Sequence, residues 1–255
     1  MMDVSILGCG WLGKPLANYL LNKGFVIKGS TTSEEKFQDF KNLGISPFIV
    51  DIDNLDEYKT ASFFNSEILV VAIPSKNVNG FKSLISQIEK SSIRKVIFIS
   101  STSVYPSLNK EVTENSETLG TSLVEIENLF IENAKFKTTI IRFAGLFGYN
   151  RNPGNWFENK KIPQPNGFVN MIHQDDCVEI IYQIIEKNVF GEVFNACSNH
   201  HPTRKEYYTL AKKKLKKEPP TFDDSLPLKY KIINADKIQK QLNYTFIHDD
   251  LLVDF

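Results

Sequence analysis

At 255 residues the chain can bury one large core, or one core with a small lobe attached. Its 30 basic residues balance its 30 acidic ones, which excludes attachment to nucleic acid or to a membrane surface through a global field. Three cysteines, Cys9, Cys177 and Cys197, have neither metal-ligand nor disulfide-framework spacing and read as reduced thiols of a cytoplasmic protein. Met1-Met2-Asp3 leads straight into a strand without a basic leader, and no apolar run reaches membrane-spanning length.

The first predicted strand is Val4 to Leu7, followed at once by Gly8-Cys9-Gly10-Trp11-Leu12-Gly13, a G-x-G-x-x-G fingerprint. Gly8 lets the chain turn sharply out of the strand. Gly10 lets the backbone approach a pyrophosphate, and Gly13 lets the next helix pack closely on the sheet. The loop from Gly8 to Gly13, with Trp11 and Leu12 at the mouth of the helix, is therefore the expected dinucleotide grip. Leu16, Ala17, Tyr19, Leu20 and Leu21 recur at helical spacing, and Gly24 ends that helix. Phe25 to Lys28 is the second strand, running into Ser30-Thr31-Thr32, where an NAD enzyme generally carries an acid. Hydroxyls with Lys36 nearby suit a 2′-phosphate better, so NADP is favoured over NAD.

A Thr32-x-x-Glu35 capping box predicts a helix with Phe37 and Phe40. Strands follow at Pro47 to Val50, at Ile68 to Ile73 and at Val96 to Ile99; the unbroken apolar run of the middle one predicts burial on both faces. A helix with Phe81, Leu84, Ile85 and Ile88 joins the last two. Ser122-x-x-Glu125 predicts another capped helix, and Thr138 to Phe143 a sixth strand. The alternation predicts an α/β fold, a Rossmann-type doubly wound parallel sheet over residues 1–148. Beyond it, Tyr149 to Asn170 is an irregular excursion of the kind that builds sites. Residues 176–198 return a helix and a strand to the core. Thr203-x-x-Glu206 caps a helix from Arg204 that closes in the lysines Lys212, Lys213, Lys214, Lys216 and Lys217, and Asn234 caps a short one from Ala235. Residues 149–255 are thus expected to form a small C-terminal α+β substrate lobe, with the ligand cleft at the carboxyl ends of the strands.

Ser100-Ser101-Thr102-Ser103-Val104-Tyr105 resembles the S-S-x-x-V-Y-G strand end of the extended short-chain dehydrogenases/reductases, the NAD-dependent epimerase/dehydratase superfamily. Asp51-Ile52-Asp53, Arg142 to Gly148, Ile172-His173-Gln174-Asp175-Asp176 and the closing turn Asn234 to Tyr244 agree with it in order, with Asn243 in place of a glycine. One departure limits what is inherited. Where such proteins carry a Tyr-x-x-x-Lys pair, this chain has Leu119-Gly120-Thr121-Ser122-Leu123, and leucine can neither donate a proton nor shift a neighbour's pKa. The chain is identified with the atypical members, in a YeeZ-like bacterial group sharing the G-W-L-G start.

The resemblance implies that Asp51 and Ile52 lie against an adenine, that Ala72, Ile73 and Pro74 pass under the ribose and nicotinamide half, and that Ser100 adjoins the cofactor. It makes Ser101 the residue that orients a substrate carbonyl or hydroxyl, with Ser103 beside it. Tyr105 is a candidate displaced acid/base, although a free phenol titrates near ~10 without help. His173 is either a proton shuttle or a structural ring bonded to backbone. Arg142 either neutralises an anionic substrate or braces its loop through Asp175 or Asp176. His200-His201 lack a carboxylate or cysteine at metal spacing, and no metal is expected. The leading reading is an NAD(P)-dependent oxidoreductase or epimerase/dehydratase-like enzyme on a small polar substrate such as a sugar nucleotide. The alternative is a non-catalytic NAD(P)-binding sensor or structural protein. Neither nucleic acid nor membrane is an expected partner, and the helix after strand five can pair with its twin in a homodimer.

Overall fold

The computed structural model describes residues 2–253. Its first part alternates β1 (Asp3–Leu7), α1 (Gly13–Asn22), β2 (Val26–Thr31), α2 (Phe37–Asn42), β3 (Ser46–Ile49), α3 (Glu57–Thr60), β4 (Ile68–Val71), α4 (Val78–Glu89) and β5 (Lys95–Ser101). Next come β6 (Lys110–Val112), α5 (Ser122–Ile131), β7 (Lys137–Phe143), β8 (Gly145–Phe147), β9 (Ile162–Pro163), β10 (Met171–His173) and α6 (Gln174–Glu186). The chain closes with β11 (Val193–Ala196), α7 (Arg204–Lys214), β12 (Phe222–Asp223), β13 (Lys231–Ile233) and α8 (Asp236–Leu242).

Seven strands make one sheet in the order β11-β7-β5-β4-β1-β2-β3, and the pairs β3–β2, β2–β1, β1–β4 and β4–β5 are parallel. The strand order reverses at β1, between β2 and β4. That is the switch point beyond which doubly wound sheets bind ligands. All four residues of β4 are buried, as an apolar strand covered on both faces must be. It stops at Val71, two residues before the expected end, which puts Ala72 and Ile73 in the loop above the switch point.

Two expected helix starts move. The hydroxyl of Thr32 caps nothing: Glu34–Lys36 form a 3-10 turn behind Ser33, and α2 begins only at Phe37. At α5 the N-cap is Thr121, whose Oγ1 accepts the Val124 amide, one residue before the expected Ser122. Thr203 and Glu206 do form the reciprocal capping box that starts α7. Gly24, at φ +88°, takes the left-handed conformation that ends α1.

The chain forms two compact units. One comprises the chain up to Ser100 with Gly120–Ile141 and Ile180–Val193; the other comprises Ser101–Leu119, Arg142–Glu179 and the chain from Phe194. The first unit's core is aromatic where α4 and α5 cover the sheet: Phe98 stacks on Phe130 at 4.9 Å, and Phe81 meets both edge-on. In the second unit the parallel pairs β8–β10 and β9–β12 contribute to a core that includes Phe147, Met171, Tyr207 and Leu251, and β6 pairs with β13 in parallel. Among the described residues, no helix is long and apolar enough to cross a membrane.

Candidate functional site

The loop after β1 is tied to the ends of β2 and β4. The Gly8 amide donates to Ser30 Oγ and the Cys9 amide to the Ser30 carbonyl, both at 2.9 Å, while the Ala72 amide donates to the Leu7 carbonyl at 2.8 Å. The three glycines of the fingerprint have different reasons to be glycine. Gly8 stands at φ +96°, and a Cβ there would lie 2.6 Å from Ile73 Cγ2. A Cβ on Gly13 would overlap the Gly8 carbonyl oxygen where α1 closes onto the loop. A Cβ on Gly10 would meet nothing within 4 Å. The fold therefore demands the first and third, but not Gly10. Helix α1 also starts without a side-chain cap and without an acidic residue in its first turn. Its positive end is thus left for an anion from outside the chain.

A cavity of about 170 Å³ opens over this loop, lined by the expected Gly8, Gly10, Ser30, Thr31, Thr32 and Ile73. Cys9, Lys36 and Val50 complete the lining. Ser30 is 1 % exposed and its hydroxyl is taken by the Gly8 amide, so it shapes the loop rather than facing a ribose. Thr32 and Lys36 are exposed at the rim. Burial pushes the Cys9 thiol up to about 12, so it packs as a neutral side chain. Val50 follows β3 directly, and an apolar residue ending a strand is too common a pattern to have singled it out.

Other expected cofactor residues lie elsewhere. Asp51 caps the turn Ile52–Asn54 by accepting the Asp53 amide at 3.0 Å, and Ile52 is buried in the first unit's core. Leu12 is buried ahead of α1, and neither Trp11 nor Pro74 lines the cavity. Ser100 donates its hydroxyl to Glu127, a fully buried carboxylate on α5. Nothing in the spacing of Ser100 and Glu127 announced that pair.

In the second unit, Ser101 Oγ accepts the Ser103 amide at 3.1 Å and so caps the turn Thr102–Val104; Ser101 is half-buried and Ser103 exposed. Tyr105 corrects an expectation. It is 1 % exposed, its hydroxyl donates to Asn195 Oδ1 at 2.8 Å, and it accepts from Arg142 at 2.7 Å. Burial raises its pKa further, against the pull of the Arg142 guanidinium, which also lies over the ring at 5.1 Å. A phenol so enclosed braces the core and cannot serve a substrate as acid or base. Arg142 is buried as well and donates to the Tyr105 hydroxyl.

His173 has a different setting. With Gly148, Tyr149, Asn152, Asp175 and His248 it lines a cavity of about 370 Å³ in the second unit. Its Nδ1 accepts the Asp175 amide at 3.2 Å, and its other edge packs against Gly148, at φ +117°, where a Cβ would strike the ring. The His248 ring lies against it at a tilt of 40°, with ring centres 3.8 Å apart. Tyr149 donates to Asp175 Oδ1 at 2.7 Å, and His248 Nε2 lies 3.0 Å from Asp175 Oδ2. His248 had no sequence signal, since it stands 75 residues from His173 in an unpatterned tail.

Comparison with known proteins bears on the family and the fold. The profile of the NAD binding domain of 6-phosphogluconate dehydrogenase matches residues 3–126. Protein YeeZ of Escherichia coli K12 is 30 % identical over 99 % of this chain and 98 % of its own length. A functionally unknown conserved protein from Silicibacter pomeroyi shares the fold at TM-score 0.82 and 18 % identity, over 100 % of this chain and 96 % of its own. The UDP-glucuronic acid 4-epimerase of Bacillus cereus, solved with UDP-glucuronic acid and NAD, does so at TM-score 0.81 and 20 % identity, over 99 % and 96 %. The first part of the chain is an NAD-binding Rossmann domain.

Proposed function

The chain belongs to the YeeZ family, and from that premise we propose that it is an NAD(P)-dependent enzyme of epimerase/dehydratase type acting on a small polar substrate. The observation that carries the proposal is Gly10, a residue that the fold leaves free to be larger and that a diphosphate does not. The uncapped start of α1 supplies the complementary amides and dipole. The cofactor is NADP, because Thr32 and Lys36 stand at the rim where a carboxylate would otherwise hold the ribose diol. The substrate is a sugar nucleotide or a molecule of similar polarity, by likeness to the fold of the Bacillus cereus epimerase. When bound, the nicotinamide would exchange a hydride with a substrate carbon; of the chain's own residues, Ser101 would orient the substrate oxygen and a base would take the hydroxyl proton. In the metal-free chain His173 is the candidate for that base, since it lines an open cavity. Two copies pair through α5, which carries the exposed Ile131 at its end.

A second reading keeps the dinucleotide without turnover. The enclosure of Tyr105 and the leucines at 119 and 123 favour it, since the register after strand five carries no Tyr-x-x-x-Lys pair. The first test is fluorescence titration of NADPH and NADH against the native chain and Gly10→Val. Affinity lost in the variant with an unchanged melting temperature supports the proposed grip; equal affinity in both overturns it. Reduction or oxidation of the nicotinamide with a panel of sugar nucleotides then separates enzyme from sensor.

A further inference from the structure

We propose that His173, Asp175 and His248 form a binding site for a first-row divalent metal ion of the zinc type, in the second unit and independent of the dinucleotide. Among the described residues these three side chains bring one ligand atom each within 4.8 Å of one another. Asp175 Oδ2 lies 3.3 Å from His173 Nδ1 and 3.0 Å from His248 Nε2. Bonds of ~2.0–2.1 Å from one tetrahedral ion place its ligands about 3.3 Å apart, so both edges already have the length that ligation needs. The ring centres, at 3.8 Å, are closer than the ~5 Å of two imidazoles sharing such an ion, and ligation would part them by about an ångström. His248 has room to move, its side chain being 24 % exposed.

What surrounds the three donors makes them more than neighbours. Tyr149 holds Asp175 Oδ1, which turns Oδ2 toward the two imidazoles, as an outer partner orients a ligating carboxylate. The adjacent acid has the opposite task. Asp176 is fully buried and accepts the Tyr244 hydroxyl at 2.6 Å and the amides of Ile247 and His248 at 2.6 and 3.1 Å. It thereby pins the segment that presents His248. Two nitrogens and one oxygen select zinc-like ions over magnesium or calcium, which prefer all-oxygen shells. The pocket carries one carboxylate and no lysine or arginine in its lining, so a cation is the species it suits. The cavity of about 370 Å³ leaves a fourth position open to water or a ligand. Ligation through Nδ1 requires His173 to release the Asp175 amide that it accepts at 3.2 Å, and a bound ion would hold His173 out of acid/base work, so the role as base belongs to the metal-free chain.

The test is equilibrium titration of the untagged, full-length chain with Co(II), read by its visible absorption and displaced by Zn(II). One equivalent per chain is expected. Asp175→Asn and His248→Ala should each weaken it tenfold or more. The exposed Tyr149→Phe, which cannot cost the fold its core, should weaken it ~10-fold through loss of the outer partner. His200→Ala, which removes the separate His200–Asp250 pair, should change nothing. Melting temperatures of the variants show that each is folded. Uptake that is absent from the native chain, or that persists unchanged in Asp175→Asn and His248→Ala, overturns the site. Because no arm uses the dinucleotide or turnover, failure here leaves the NAD(P) proposal standing, and the reverse also holds.

Discussion

Single side chains decide most of the chemistry, and Tyr105 is the clearest case. Its hydroxyl is shared by Asn195 and Arg142 in an enclosed setting, so Tyr105→Phe would leave a buried guanidinium short of an acceptor. The expected cost is about 1–3 kcal/mol in chemical denaturation, with NADPH affinity unchanged. Loss of cofactor affinity with full stability would return the residue to the site. At the rim of the loop, Lys36→Ala is expected to weaken NADPH several-fold while leaving NADH within a factor of two, since one exposed charge on a phosphate is worth ~1 kcal/mol. Equal losses for both cofactors would remove the 2′-phosphate from the account. A pH effect belongs here too. Burial lowers the pKa of His201 below the ordinary 6.5. The unfolded chain takes up this proton near 6.5, the folded chain only at lower pH, so stability is complete above that value and falls as pH drops through the folded pKa. His201→Gln should show a shallower loss than the native protein as pH falls from 6.5, in denaturant melts at matched pH values.

At the scale of elements, caps and glycines separate what local chemistry can dictate from what packing imposes. Of the three hydroxyl-x-x-Glu patterns read as helix starts, only Thr203 and Glu206 close a box, with Thr203 accepting the Glu206 amide at 3.2 Å and Glu206 accepting the Thr203 amide at 2.9 Å. Thr203→Ala should therefore cost about 1 kcal/mol, whereas Thr32→Ala should be neutral for stability. Thermal melts of the two variants decide it. The same contrast holds in the glycine loop. Gly13→Ala forces a methyl onto the Gly8 carbonyl and should lower the melting temperature by several degrees, because α1 must move off the sheet. Gly10→Val meets open space and should not. Identical melting losses in the two variants would contradict the division of labour between these glycines.

Across the whole molecule, the two units invite a linkage experiment. A dinucleotide that binds only the folded chain raises its stability by about 2.7 kcal/mol at a hundred times its dissociation constant. NADPH should therefore shift the melt of the native chain upward with added ligand, and Gly10→Val should abolish the shift. A shift that survives in the variant would place the bound nucleotide away from this loop. Zinc, at the separate His173 site, should add its own increment in Gly10→Val as well.

The seven strands of the main sheet, the glycine fingerprint at its switch point and the α/β class were legible in the residues alone. The short strands β6, β8, β9, β10, β12 and β13 and the helix α3 were not. Periodicity, strand-ending glycines and a four-residue apolar strand reflect forces that act over a few neighbours. The family motifs were legible in the same way, being contiguous. Tertiary structure decided which of those residues line a cavity and which are enclosed. Tyr105 and Arg142 stand 37 positions apart and meet Asn195, 90 positions from Tyr105, only because folded strands bring them together. Asp51 and Ile52 matched a cofactor motif in sequence, and folding makes one a turn cap and the other part of the core. His248 reaches His173 because a buried carboxylate holds its segment in place. Burial and partnership are sums over distant parts of the chain, so they exist only once the chain has folded.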